Sequence, residues 1–536
     1  MIVSSPDWIK IKSSLSDAKM WLFFTTANLA IWHGVLTHRI NSPELTTTLF
    51  FWLVALFVLW KKRNDIYLVS QPWKNFIGIF LLAIIIYRGL ALFWYENFVL
   101  QFIPFFSLLS LALIASGWKG LKQYTRPLIA FLIFSLVDGI SEKVFTSFPD
   151  GFTFPKLTAD FSTFFLHYIG FDVSQEGVFI YLPDGSVEVL YACTGGPLIG
   201  LLLQLTFVLF IIAPLNWKFA SKILIGLLSL GFFLGVVRVA LLAVVVSDPT
   251  AFEYWHGSEG SQIFSLAAFS IWIVSAHFIY EHYENQLKVK QAEETTENSK
   301  PETASSEGES TSPPESNPSR LRFLSGLGLM ISVVTLFTFF FPEVGRRQVP
   351  PLNFPSQLSL KGWTRESSVP LTDETDSIND YVQQFRSGQQ YLYRQQNQAV
   401  TVELRHIGGT FGNVGGFASR YLKRGKVESD KRSKTLPNLG AYQLYHDESY
   451  AYLSTCITSQ GESTTNIGDF VYKMNRNLLK ANSRLWSGVI GTRSLRERNC
   501  LWVHLSTPLQ ENSPEASYQR LEAVFQEGYP KWQALF

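Results

Sequence analysis

The sequence predicts an all-α polytopic membrane bundle of about eight transmembrane helices, followed by a ninth anchor helix and a small α+β soluble domain. Three observations carry that reading. Apolar residues before Gln291 come in long blocks, whereas after Arg346 they are scattered as in a water-soluble domain. The 536 residues are 47% hydrophobic and only 16% charged, against ~25% charged in an ordinary soluble domain. Basic residues in the first half cluster on alternate loops, and the loops between them are poor in Lys and Arg.

A hydrocarbon core of ~30 Å needs roughly 20 mostly apolar helical residues. The blocks that meet or approach this length are 20–38, 45–60, 74–94, 98–117, 124–140, 192–213, 222–247 and 261–280, with a ninth at 321–341. Block 45–60 is short and 20–38 carries His33, so these two are the weakest spans. No short signal peptide with a small-residue cleavage site is visible at the start, so the first block is expected to be retained. Lys10, Lys12 and Lys19, then Lys61, Lys62 and Arg63, then Lys119, Lys122 and Arg126, then Lys218 and Lys222 all fall on one side if every block spans. By the positive-inside rule that side is cytoplasmic, and both ends of the eight-helix bundle lie there.

In the long outer loop 141–191, Leu157, Phe161, Phe164, Phe165 and Tyr168 recur at helical spacing and predict a short interfacial helix. Val178 to Leu182, Pro183-Asp-Gly-Ser, and Val187 to Tyr191 read as a hairpin around an Asp-Gly turn. Four segments follow from these patterns: a membrane core 1–290, a linker 291–320, an anchor helix 321–342 and an extracytoplasmic domain 343–536. The linker is rich in Glu, Ser, Thr and Pro without aromatics and is expected to be disordered. Its length implies a tail mechanically independent of the bundle. In the tail, strands are expected at 390–405, 441–447, 450–458 and 500–506, and helices near 466–482 and 514–526.

Three residues are candidates for chemistry. Cys193 lies in Tyr191-Ala-Cys-Thr-Gly-Gly-Pro, where a helix N-terminus would lower the thiol pKa; the plainer alternative is a small buried hydrophobe. Arg238 lies inside Gly231-Phe-Phe-Leu-Gly-Val-Val-Arg, and a charge in a span costs at least ~2.5 kcal/mol; otherwise it snorkels to the headgroups. Sixteen residues beyond Lys222 put its Cα ~24 Å across, in the outer part of the membrane. His256, in Glu253-Tyr-Trp-His-Gly-Ser-Glu, is a proton carrier near neutral pH or an interfacial side chain beside Tyr254 and Trp255. Three separate segments thus bring Cys, Arg and His to similar depth on one face, a set suited to acyl-enzyme formation with oxyanion stabilisation. Of the three cysteines, Cys456 and Cys500 can pair if the tail lies in an oxidising compartment. His406, His446 and His504 show no metal-ligand spacing and read as structural, and no metal or cofactor site is expected. Gly408 to Gly416 lacks the Lys of a phosphate loop and reads as a flexible loop. A net charge of +2 gives no footprint for nucleic acid.

At Ala192-Cys193-Thr194-Gly195, Arg238 and His256, in that order, the chain resembles the exosortase/archaeosortase family over roughly residues 20–282. The wording around His256 and the extra-cytoplasmic tail look most like the cyanobacterial branch, with the tail resembling companion proteins encoded in exopolysaccharide loci. The resemblance implies an eight-span cysteine transpeptidase of the plasma membrane with Cys193, Arg238 and His256 as its catalytic set, acting on the extracytoplasmic side. It also implies partners: exported proteins ending in a Pro-Glu-Pro-type motif, a transmembrane helix and a basic cluster. The acceptor amine stays open. Many members place Asn three residues before the Arg, where this chain has Gly235. Two other readings remain: a non-catalytic component of exopolysaccharide export, and a transferase using a lipid-linked donor. For the latter, Asp172, Glu188 and Glu259 form no tight pair.

Overall fold

The computed structural model describes residues 17–40, 45–69, 71–146, 154–213, 216–297, 318–372, 384–422, 432–436, 439–480, 482–509 and 514–536. They form a helical first half with a family of long apolar helices and a β-rich tail. Two compact units result. One gathers residues up to 33, 46–82 and 101–335; the other gathers 34–45 and 83–100 with 336–536.

In the first half of the chain, α1 (Ala18–Arg39), α2 (Leu45–Lys61), α3 (Phe76–Leu90), α4 (Asn97–Gly120) and α5 (Thr125–Thr146) follow the first five apolar blocks. Four stretches are long and apolar enough to cross a membrane: Asn97–Leu136, Trp217–Val244, Glu259–Gln286 and Pro318–Phe340. Thr47–Lys61, Phe76–Leu90 and Gly196–Ile211 are shorter apolar helices. His33, which weakens the first block on paper, is buried and accepts from Trp52 Nε1 at 3.2 Å. A polar group in an apolar setting is tolerable once it is hydrogen-bonded.

Next come α6 (Phe154–Tyr168) and a three-stranded sheet of β1 (Ser174–Glu176), β2 (Phe179–Leu182) and β3 (Gly185–Glu188). Leu182 pairs Gly185 across the Asp-Gly turn, as the hairpin pattern predicts, and β1 adds an unforeseen strand. On α6 the small residues Thr158, Ala159 and Ser162 face inward, with Ser162 Oγ donating to the Val236 carbonyl. Phe161, Phe164 and Tyr168 point out, the arrangement expected of a helix whose solvent is lipid.

Helices α7 (Gly196–Ile212), α8 (Trp217–Val244), α9 (Pro249–His256) and α10 (Ser258–Glu297) complete the core. Leu202, Leu205, Leu227, Ala268 and Trp272 are buried between α7, α8 and α10, and Trp272 Nε1 donates to Thr206 Oγ1. Helix α10 runs to Glu297 and the next helix, α11 (Pro318–Phe340), starts at Pro318. The helical segments therefore take both ends of the expected 291–320 linker, whose middle, 298–317, lies outside the described residues. Leu324, Gly328, Ile331 and Thr335 are buried on α11 at alternating spacings of four and three, a coiled-coil seam. They face α1. A Cβ at Gly328 would sit 2.9 Å from Thr25 Oγ1, and Ser332 donates to Asn28 at 3.1 Å.

The tail is built on an eight-stranded sheet with path β4-β5-β6-β11-β9-β8-β7, from which β10 (Ser463–Thr464) branches at β9. The strands are β4 (Thr364–Pro370), β5 (Gln384–Gln395), β6 (Gln398–Gly408), β7 (Arg432–Leu436), β8 (Gly440–His446), β9 (Tyr450–Thr458) and β11 (Asn499–Pro508). Its helices are α12 (Val414–Leu422), α13 (Ile467–Lys480), α14 (Asn482–Ile490) and α15 (Pro514–Gln533). One face of the sheet packs on α15 through Leu521, Val524, Phe525 and Trp532; the other packs on α12 and α13 through Phe417, Phe470 and Trp502. The single strand expected at 390–405 is instead a hairpin turning at Gln396, which takes φ 52°. Cys456 and Cys500 are disulfide-bonded. The glycine stretch after β6 is an ordered turn rather than a loose loop: Thr410 N–H donates to the Arg498 carbonyl and Gly412 N–H to Thr410 Oγ1.

The second unit also holds residues 34–45 and 83–100 of the first half. Arg39, at the end of α1, donates to the carbonyls of Leu90 and Val344. The buried pair Arg88–Glu96, 2.6 Å apart, receives the tail directly: Arg88 Nε donates to the Gly488 carbonyl and Leu495 N–H to Glu96.

Candidate active site

The site is assembled where the 191–195 turn crosses α8. Tyr191–Cys193 is one turn of 3-10 helix, and Thr194 is extended, so α7 starts only at Gly196. Thr194 holds that break: its hydroxyl donates to the Tyr191 carbonyl at 2.7 Å and accepts from Gly196 N–H at 3.1 Å. Pro197 suits the first turn of α7. Cys193 is the free cysteine, buried among Val239, Ala240, Val187 and Val189.

Glycines let the turn approach. A Cβ on Gly195 would lie 2.2 Å from the Gly231 carbonyl oxygen, and one on Gly235 would lie 2.0 Å from Gly195 N. Backbone thus rests on backbone, and Gly231, Gly235 and Arg238 share the buried face of α8. The guanidinium then reaches both flanking segments. Nη1 donates to the Ala192 carbonyl at 3.3 Å and Nη2 to the His256 carbonyl at 3.4 Å. Arg238 Nε is buried with no acceptor among the described residues.

His256 arrives on α9, whose start is written in Asp248-Pro249. The Asp248 carboxylate accepts from the N–H groups of Thr250 and Ala251, an N-cap, and Pro249 occupies the first turn. Gly257 ends the helix, and Gly260 lets the chain fold back tightly over Trp255. The imidazole stacks on Phe252, 5.3 Å between centroids, and keeps an outer edge exposed.

The electrostatics depart from the sequence expectation at Cys193. Burial pushes its thiol above the ordinary value, while Arg238 and a hydrogen bond from the backbone at Leu190 pull it back. Partial burial, then the Arg238 charge, hold His256 below the ordinary histidine value. Both shifts favour the uncharged forms, the thiol at Cys193 and the imidazole at His256. Among the described residues no three His, Cys, Asp or Glu side chains are grouped as metal ligands.

With this geometry in place, the comparison with known families is decisive. The description "Transmembrane exosortase" matches residues 39–273, a stretch that contains Cys193, Arg238 and His256. Residues 39–273 belong to the exosortase family. No curated protein and no solved structure matches the chain. The exosortase match and the apolar helices support a membrane location, and the match suggests a transpeptidase or sorting role for residues 39–273.

Of the three residues singled out in the sequence, Arg238 bridges the backbone at Ala192, next to Cys193, and the backbone at His256. The residues missed were the glycines and Thr194. Gly231 and Gly235 form a G-x-x-x-G pair in an apolar helix, a signal for close helix approach that was there to be read.

Proposed function

We propose that the exosortase region is a membrane-embedded cysteine transpeptidase or processing protease that cleaves C-terminal Pro-Glu-Pro-type sorting signals of exported proteins. Cys193 is the nucleophile, His256 the proton carrier and Arg238 the electrophilic stabiliser. The observation that carries the reading is the bridging guanidinium: Arg238 ties the Ala192 and His256 carbonyls together and keeps Nε free.

In the first step His256 takes the thiol proton as Cys193 Sγ bonds to the scissile carbonyl carbon. The carbonyl oxygen becomes an oxyanion, which the free Nε–H of Arg238 is suited to receive in a water-poor setting. Collapse breaks the C–N bond, and His256 returns its proton to the leaving amine, leaving a thioester on Cys193. An acceptor amine or water then attacks, gives up its proton through His256, and releases Cys193 as thiol.

The same reading takes about eight spans in the core, α11 as a ninth, and a plasma-membrane location with site and tail extracytoplasmic. The excess of Lys and Arg on one set of loops supports that orientation, and so does the Cys456–Cys500 disulfide, since such bonds persist in oxidising compartments. The test is co-expression with an exported reporter carrying a Pro-Glu-Pro motif, a transmembrane helix and a basic cluster. Conversion of the reporter to a shorter form by the full chain, and none with Cys193→Ala at equal membrane level, is the expected result. Equal conversion by both overturns the assignment.

A further inference from the structure

We infer that α14 of the tail is an interfacial helix whose exposed face lies in the headgroup–acyl boundary of the membrane that holds the chain's own helices. Three of its apolar side chains are turned outward: Trp486 is 69% exposed, Ile490 50% and Val489 39%. In a water-soluble domain such a cluster on a nine-residue helix would be costly, at ~25 cal/mol per Å² of apolar surface.

The depth of α14 is fixed by what holds its end. The Gly488 carbonyl accepts from Arg88 Nε at 3.0 Å, and Arg88 is two residues from the end of the apolar helix α3. Gly491, with φ 78°, brings the chain so close that a side chain there would lie 3.3 Å from both Ala91 Cβ and Arg88 Cδ. Arg88 and Glu96 are both buried, 5% and 4% exposed, so this contact belongs to the packed interior of the unit. α14 is therefore at the level where α3 leaves the hydrocarbon. Tryptophan is enriched at that level because its ring is amphipathic. Arg493, exposed just beyond the helix, supplies a cation for lipid phosphates. An apolar face bounded by a basic residue and held at the end of a membrane helix fits a phospholipid interface rather than bulk water.

The full-length protein carrying Cys193→Ser tests this, with Trp486→Cys or Ile490→Cys nitroxide-labelled. Tyr472→Cys, on α13 and 64% exposed, is the reference for a tail residue in water. In vesicles of phosphatidylglycerol and phosphatidylethanolamine, collision with oxygen relative to a water-soluble nickel complex is measured at each site. Labels at 486 and 490 should show a ratio several-fold above that at 472. A ratio equal to the reference overturns the proposal. So does strong dipolar broadening between two labels at 486, which would mean that a second copy of the chain covers the face.

Discussion

Gly235 is where the architecture of the site is most easily broken. Its Cβ position lies 2.0 Å from Gly195 N and 2.4 Å from Gly195 Cα. An ordinary contact needs about 3.5 Å, so Gly235→Ala forces the 191–195 turn to retreat by roughly 1.5 Å. Arg238 reaches the Ala192 carbonyl at 3.3 Å, already near the limit of a hydrogen bond, and that contact is lost. A misplacement of about 1 Å costs on the order of 100-fold in rate, which corresponds to ~2.7 kcal/mol in the barrier. The expected outcome is a reporter-cleavage kcat/KM down about 100-fold. Gly226→Ala is the matched control, because it lies on the same helix with nothing within 4 Å of its Cβ position; there alanine favours the helix by up to ~1 kcal/mol. Membrane levels of both variants are followed by blotting. If Gly235→Ala cleaves as fast as Gly226→Ala, the backbone contact does not position the site.

The other residues give separate outcomes. Cys193→Ala should accumulate full-length substrate with the enzyme still in the membrane, measured by reporter blotting. Arg238→Lys keeps one charge but cannot span two carbonyls and donate a third bond; it should lose about 2.7–4 kcal/mol of transition-state stabilisation, read as kcat/KM. Because Arg238 pulls the Cys193 thiol down, Arg238→Gln should move the midpoint of Cys193 alkylation by iodoacetamide to higher pH; an unmoved midpoint contradicts the coupling. His256 acts as base in its neutral form, and its value is held below that of an ordinary histidine, so activity should persist into mildly acidic buffer before falling, and His256→Gln should abolish both the activity and that limb. Glu96→Gln leaves Arg88 buried without its counter-charge, a loss of about 3–5 kcal/mol, and should raise hydrogen exchange at 488–496.

Much of this was legible, and the failures share a cause. Hydropathy located the apolar blocks, but it cannot tell burial in lipid from burial in protein. Block 74–94 ends as a helix at Leu90 because Leu92, Phe93 and Trp94 are buried within the second unit, where Arg347 N–H bonds the Leu92 carbonyl. Block 192–213 starts late because Thr194 spends its hydroxyl on the turn. The Asp-Gly hairpin was readable since its turn chemistry is local. The tail's attachment was not, since it rests on Arg88 and Glu96, eight residues apart in sequence and bound to residues some 400 positions later. Yet Arg88 carried the same warning as Arg238: an ionisable group inside an apolar block needs a partner and a reason.

The two arginines answer that demand differently, and the contrast bears on the proposed chemistry. Arg88 is neutralised by Glu96 and saturated by the Ala91 and Gly488 carbonyls, so it is a fastening. Among the described residues no carboxylate is hydrogen-bonded to Arg238, and two carbonyls accept from it, both beyond 3.2 Å. A charge left short of partners in an apolar bundle is held at a cost of at least ~2.5 kcal/mol. That cost is recovered only when negative charge appears beside it. Gly235, with no side chain, lets the backbone of the Cys193 turn settle directly on α8, which brings the sulfur's segment within reach of the under-partnered cation. Under the proposed function, a site organised this way would hold its oxyanion more tightly than its substrate, which is the ordering of affinities that catalysis requires.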